Sequence, residues 1–400
     1  MKIALLGPCP TEICSGRPDQ PLAGGVDAVV LALARSLAGR PDVALSVMMA
    51  VPGLARPVRQ PGDGFTLISV PRPRGGRLTG QRPVVENLRG QIAALAPDII
   101  HAHSAGIYAG AALASGRPAV VTLHGIIGRE ARQAWANSSW PDRLRWLADA
   151  RYEASVVRRA SDIIAISPYV LAEFRSRTPA RFHLIENPVD DRFFDIATPL
   201  PEQDRLLCVA RVIPRKGILG LVEAFGLLVR QRPAATLTVV GETASDADYA
   251  ARCRERATQL GVAGRVHFAG AQPPDTIRAY YAASDVVLLA SEQETAPVTL
   301  AEAMAAGRPV VTTDVGGCAA MVADGVTGRV VPPRDPQALA AATVELLADP
   351  ARAATMGRAG RDAAAARFRL ASITTATLEV YARILAERAN VQRARAKRPR

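Results

Sequence analysis

Residues 291–311 read SEQETAPVTLAEAMAAGRPVV, and this stretch decides the fold. Just before it, SDVVLLAS is a short apolar run of the length of a buried strand. Glu294 and Glu302 stand eight positions apart, with Thr295, Ala296 and Pro297 after the first and the helical run LAEAMAAG carrying the second. Pro297 has no backbone donor and suits the start of a helix. The spacing predicts Glu294 on a loop and Glu302 about a turn and a half into the helix that follows. Free amides and the positive end of the dipole at that helix start favour a polar or anionic ligand. Gly307 closes the helix, and Pro309-Val310-Val311-Thr312 begins another buried strand. Two exposed glutamates on an ordinary helix are the plain alternative, so the rest of the chain has to decide.

Outward from this stretch, strands and helices alternate. Upstream, LLCVARV, ATLTVVGE and RVHFAG read as strands, with helices near 248–260 and 274–282. The first of these strands leads into IPRKGILGLVEAFGLLVRQ, which places Arg211, Lys216 and Gly217 at a helix approach. A point charge, an Arg fork and free amides are what a diphosphate needs. The first half repeats the alternation. MKIALLG is a strand, Gly24 and Gly25 open a helix over 26–38, and strands are expected at 44–50 and 65–70. A helix over 84–95 leads to the strand PDIIHAHS, a helix over 107–114 leads to AVVTLHG, and a long basic helix covers 142–160. Trp135 and Trp140, on the loop before that helix, either line an acceptor pocket or pack against it. The stretch ATPLPEQDR at 197–205 reads as the interdomain linker, and a last helix over 372–389 could reach back to the first domain.

This pattern predicts parallel sheets whose ligands bind beyond the carboxyl ends of the strands, where His103 and His124 fall, with His101 two positions before the first. Zinc is disfavoured because no further ligand at suitable spacing accompanies the histidines. Asp246 and Asp248 form an Asp-x-Asp, read here as a helix cap rather than a metal site.

Composition narrows the function classes. A chain of 400 residues, 49% hydrophobic and only 4% aromatic, suits two domains with Ala-, Leu- and Val-rich cores. The N-terminal apolar run is too short for a signal peptide, and no later run is long enough to span a membrane. The five cysteines are scattered and odd in number, which fits a reducing cytoplasm. Net charge is +12, and Arg388, Arg393, Arg395, Lys397, Arg398 and Arg400 form a basic tail without carboxylates. That tail reads either as a solvated end or as a peripheral contact with anionic lipid at the inner face of the membrane. Nucleic acid is disfavoured because no aromatics are interleaved with the cations. The fingerprints of nicotinamide dehydrogenases and phosphate-loop enzymes are absent from the sequence.

The Gly24-Gly25 loop, DIIHAHS, VTLHG, IENPVD, ARVIPRKG, SDVVLLASEQET and AEAMAAGRPVV occur in the order and near the spacing of the family 4-type retaining glycosyltransferases, and over nearly its whole length the chain resembles that family. The resemblance implies the GT-B fold: two Rossmann-like parallel-sheet domains facing each other across a cleft, with a C-terminal helix crossing back. Expected bounds are 1–197 for the acceptor-side domain, 198–370 for the donor domain, 371–389 for the return helix and 390–400 for a disordered basic tail. The resemblance also implies transfer of a sugar from a nucleotide-diphosphate-sugar to a saccharide or lipid-linked acceptor, with retention and without metal or other cofactor. Arg211 and Lys216 would bind the diphosphate, Glu302 the ribose and Glu294 the sugar. The Gly24-Gly25 loop would approach the phosphates, the backbone at Phe268 would meet the base, and His124 would lie beside the reacting sugar. Thr295-Ala296-Pro297 departs from the Gly-Phe-Gly-like run common in the family, so the sugar pocket is expected to differ. A GT-B-like nucleotide-sugar epimerase and a catalytically silent binding protein are the competing readings.

Overall fold

The computed structural model describes residues 1–9, 24–73, 81–135, 138–197 and 204–396. The chain divides into two compact units: Met1–Arg17, Val26–Asn187 and Leu370–Arg400 form the first, and Pro18–Gly25 and Pro188–Arg369 the second.

The strands of unit 1 are β1 (Lys2–Leu6), β2 (Ala44–Pro52), β3 (Val58–Pro61), β4 (Thr66–Arg72), β5 (Ile99–His103), β6 (Ala119–Leu123), β7 (Asp162–Ala165) and β8 (Arg181–Leu184). They form one sheet in the order β3-β4-β2-β1-β5-β6-β7-β8. All pairs are parallel except β3 with β4. The edge strand β3 is absent from the sequence reading, because VRQP is polar, largely exposed and ends in proline.

The strands of unit 2 are β9 (Arg205–Val209), β10 (Thr236–Val240), β11 (Val266–Gly270), β12 (Val286–Leu289), β13 (Val310–Thr313) and β14 (Arg329–Val331). Their order is β11-β10-β9-β12-β13-β14, with every pair parallel. Both faces of this sheet are covered. Leu206 and Cys208 of β9 pack into one apolar cluster with Val286 and Leu288 of β12. Leu207 and Val209 point to the other face and pack with Val287 and Leu289. Burial on both faces explains why these strands read as unbroken apolar runs rather than as alternating patterns.

Two expected boundaries move. The units part at Asn187 and Pro188 rather than at 197 and 198. The 3-10 turn Asp191–Asp195 carries Phe193 and Phe194 into the unit 2 core beside Tyr281 and Leu300. The expected linker at 197–205 lies mostly outside the described residues. The C-terminal helix begins at Leu370 and runs to Ala396, through the first part of the expected disordered tail; the end of that tail lies outside the described residues.

This helix belongs to unit 1. Ile373, Thr377, Val380, Tyr381 and Ile384 are buried, and their spacing makes a single helical stripe. Polar contacts pin it further: Thr374 Oγ1 donates to Ser36 Oγ at 2.8 Å, and Arg181 holds Glu387 with two hydrogen bonds at 2.6 and 2.9 Å. Arg388, read from sequence as part of the unpaired tail, donates to Gly116 O at 2.9 Å.

Candidate active site

In unit 2 the chain runs from β9 outward through β10 and β11, then returns to β12 on the other side of β9. The carboxyl ends of β9 and β12 are therefore the switch point of the sheet, where successive loops diverge and leave a crevice. Lys216 and Glu294 sit on the two loops at this point.

After β9, Pro214–Lys216 forms a 3-10 turn ended by Gly217 at φ 64°. A Cβ on Gly217 would lie 2.0 Å from Ala290 O, just past β12, so both the backbone angle and the close approach require glycine. That approach lets Glu292 N–H donate to Arg215 O at 2.9 Å, joining the loops. Lys216 Nζ then donates to Glu294 Oε1 at 2.5 Å. Ser291 Oγ donates to the same oxygen at 2.7 Å, and Thr313 Oγ1 fixes Ser291 by donating to its carbonyl at 2.5 Å. Glu294 is buried. Burial by itself raises its pKa, but the charges of Lys216 and Arg215 and the hydrogen bonds from Lys216 and Ser291 outweigh that and hold the carboxyl below its ordinary value.

Glu302 lies in the opposite environment. It projects from the helix Val298–Ala305, and the Tyr281 hydroxyl lies 3.1 Å from its Oε2 and 3.0 Å from Thr299 O, two acceptors sharing one proton. Burial pushes Glu302 up to about 8; Tyr281 offsets part of this and the charge of Asp190 adds to it. At neutral pH one glutamate is thus an ionised, compensated carboxylate and the other holds a proton. Environment separates them, as it does wherever two carboxyls are given different tasks.

The other expected residues fall as follows. Arg211, at the end of the strand segment containing β9, is exposed and lies in the field of Glu242. Thr295, Ala296 and Pro297 lead from Glu294 into the helix, and Glu294 O accepts from Gly317 N–H at 3.2 Å. Phe268 is on the edge strand β11, opposite Val239, with the Arg254 guanidinium 5.3 Å from its ring centroid. Gly24 and Gly25 group with unit 2, where a Cβ on Gly25 would lie 3.4 Å from Val298 Cγ2. Asp246 caps the helix Ala247–Gln259, accepting from Tyr249 N–H at 3.0 Å.

In unit 1 the switch point lies between β1 and β5. His103 ends β5 and His124 follows β6, and both are buried with His101. His103 Nδ1 is 2.8 Å from His124 Nε2. His101 stacks on His103 at 4.2 Å between centroids, and its nitrogens are taken up by Tyr381 Oη and Thr122 Oγ1, both at 2.6 Å. His101 is therefore a satisfied structural histidine. Burial first, then the neighbouring His124, lowers its pKa to about 3. Burial also lowers His124 to about 4, against a hydrogen bond with Asn187.

Sequence reasoning missed Arg215, Ser291, Thr313, Tyr281 and Tyr381. Ser291, three residues before Glu294 on a loop, carried a usable local signal. The tyrosines carried none, because only the folded chain brings them to Glu302 and His101.

Two doubly wound parallel sheets, each with polar side chains at its switch point, define the class of α/β enzymes that hold ligands beyond their strand ends. Comparison with known proteins is more specific. Residues 190–363 match the family described as glycosyl transferases group 1, and residues 23–193 match glycosyltransferase family 4. Glycogen synthase of Mycobacterium tuberculosis is 30% identical over 294 residues, 71% of this chain and 68% of that protein. A GDP-mannose-dependent alpha-(1-6)-phosphatidylinositol monomannoside mannosyltransferase of Mycolicibacterium smegmatis is 32% identical over 262 residues, 59% of this chain and 68% of that protein. Sucrose-phosphate synthase of Thermosynechococcus elongatus superposes with a TM-score of 0.78 at 25% identity, covering 96% of this chain and 99% of that one. The chain belongs to the family 4-type glycosyltransferases and has the GT-B fold.

Proposed function

We propose that this glycosyltransferase moves a sugar from a nucleotide-diphosphate-sugar donor to a saccharide or lipid-linked acceptor, retaining anomeric configuration and using no metal ion. The observation that carries this reading is the Lys216–Glu294 pair at the switch point of unit 2, with Arg215 beside it. Breaking a sugar–phosphate bond leaves negative charge on the diphosphate. Fixed cations at that place stabilise the departing group, each such contact being worth a factor of about 10² to 10³. A glycoside hydrolase would use its carboxyls otherwise and would have no use for the cations. The name of the mannosyltransferase relative, with its GDP-mannose donor, supports the donor class.

In this reading Arg211 and Lys216 bind the diphosphate and the Gly24-Gly25 loop approaches the phosphates. The backbone at Phe268 meets the base, and His124 contacts the reacting sugar. Glu302 takes the ribose hydroxyls. Two O–H donors supplied by a diol favour its ionised form, so the proton it holds in the free protein is given up on binding. Glu294 already has Oε1 engaged by Lys216 and Ser291, which suits a holder of sugar hydroxyls better than a covalent nucleophile. The departing phosphate oxygen then takes the acceptor proton on the same face, and configuration is retained. Thr295, Ala296 and Pro297, beside Glu294, set which sugar fits.

Incubating the purified protein with a panel of nucleotide sugars and acceptors, with anomeric analysis of the product by NMR, tests this. An acceptor carrying the sugar in the donor's configuration is expected. Inverted product refutes retention, and an isomerised nucleotide sugar with no acceptor adduct refutes transfer.

A further inference from the structure

The helix Trp140–Arg159 turns large apolar side chains away from the protein. Trp140, which the sequence places on a loop, starts this helix and is 69% exposed, while Leu144 is 50% and Leu147 38% exposed. Spacings of four and three residues put the three in one row along the helix. The exposed Arg151 and Arg158 continue that row, while Glu153, Val156 and Val157 on the other side are buried. Trp135, just upstream, is 37% exposed and has the Arg143 guanidinium 5.4 Å from its ring centroid. The chain's three tryptophans, Trp135, Trp140 and Trp146, all fall in this stretch.

An exposed apolar row flanked by cations marks a contact surface, and charge decides its partner. The arginines Arg143, Arg145, Arg151, Arg158 and Arg159 stand against Asp142, Asp149 and the buried Glu153. Asp142 is paired with Arg145 at 3.0 Å. A second copy laid parallel against this face about a two-fold axis would set Arg151 and Arg158 against their own equivalents, which like charge opposes. An anionic bilayer complements both parts of the row. Tryptophan and leucine enter the acyl boundary, and arginine stems lie along apolar surface with their heads at the phosphates.

We propose that the row Trp140, Leu144, Leu147, Arg151 and Arg158 docks unit 1 on an anionic lipid bilayer, with the helix lying in the interface plane. No helix among the described residues is long and apolar enough to cross a membrane. This binding needs no donor or turnover, so it stands or falls independently of the proposed reaction.

Full-length protein is mixed with phosphatidylcholine vesicles, with or without phosphatidylglycerol, and read by co-sedimentation and tryptophan fluorescence. Because every tryptophan is in this stretch, the emission reports on it alone. Binding only to the anionic vesicles, a blue-shifted emission and quenching by lipids brominated in the acyl chain are expected. Leu144→Ser with Leu147→Ser should remove the quenching. Arg151→Glu with Arg158→Glu should weaken binding about thirty-fold or more, and a chain ended at Ala396 should bind as before. Circular dichroism and thermal midpoints check that the variants fold. Equal binding to neutral vesicles, no quenching in the unaltered protein, or loss of binding only on removing the last four residues would overturn the proposal. So would a solution dimer or a complex with an acidic protein, in place of lipid binding, that the leucine substitutions abolish.

Discussion

Lys216 Nζ donates to Glu294 Oε1 at 2.5 Å, across two loops whose residues stand 78 positions apart in the chain. Only 15% of the lysine side chain and 6% of the glutamate side chain are exposed. The pair therefore does two things: it compensates a buried carboxylate, and it presents a cation at the switch point of the unit 2 sheet. Substitution must separate these effects.

Lys216→Ala leaves the buried Glu294 without its ion-pair partner and with only Arg215 and Ser291 to compensate it, which costs up to about 3–5 kcal/mol of stability. Turnover should fall by about two orders of magnitude. Lys216→Met with Glu294→Gln should recover most of the stability and none of the activity. The exposed Arg211 offers a cleaner probe: Arg211→Ala should lower turnover by a similar factor with an unfolding free energy within about 0.5 kcal/mol of the parent. Denaturant titrations beside steady-state rates give both quantities, and unchanged rates in Arg211→Ala and Lys216→Ala would remove the diphosphate assignment.

Gly217→Ala places a methyl group 2.0 Å from Ala290 O at φ 64°. The turn carrying Lys216 has to move away from β12. We expect at least about 1–3 kcal/mol of destabilisation and a turnover close to that of Lys216→Ala. A thermal midpoint equal to that of the parent would show that the turn relaxes freely.

Glu302 is pushed up to about 8 from an ordinary 4.5. Between those values the folded protein binds more protons than the unfolded chain. Its contribution is thus complete below pH 4.5 and lost as pH rises towards about 8, at no more than about 1.4 kcal/mol per pH unit. Glu302→Gln, which cannot ionise, should gain stability relative to the parent across this window. Nucleotide binding should release up to about one proton near pH 7, read by calorimetry in buffers of different ionisation enthalpy. Equal heats in all buffers would contradict the ribose assignment of Glu302.

The histidines act in the other direction. His101 and His124 are lowered to about 3 and about 4 from 6.5. Their neutral forms support the fold fully above pH 6.5, and this support is lost as pH falls towards 4 and below. Urea midpoints should decline between pH 6.5 and pH 4, less steeply in His124→Asn. Tyr381→Phe removes the partner of His101 Nδ1 and should cost about 1–3 kcal/mol at any pH in this range.

Much of this was legible in the sequence because the decisive residues sit where local pattern is strong. Glu294 and Glu302 flank a proline at a helix start, Lys216 precedes a glycine at a turn, and His103 and His124 end apolar strands. What escaped depends on long-range packing. Tyr281 reaches Glu302, and Tyr381 reaches His101 from 280 positions away. The C-terminal helix extends past 389 although its last turns are polar, since its apolar stripe lies further upstream against unit 1. The unit boundary moved to Asn187 because Phe193 and Phe194 pack into unit 2, a preference that the Pro-rich composition downstream obscured. The outward face of the helix Trp140–Arg159 looked like loop and packing residues because exposure has no one-dimensional signature there.

The central claim is that the switch point of unit 2 holds a nucleotide-diphosphate-sugar, and calorimetric titration of the purified protein with a panel of such donors tests it most directly. The account predicts saturable binding of a particular donor, weakened about tenfold or more by Glu302→Ala and by Lys216→Met with Glu294→Gln. Affinity equal to that of the parent in both folded variants would contradict it.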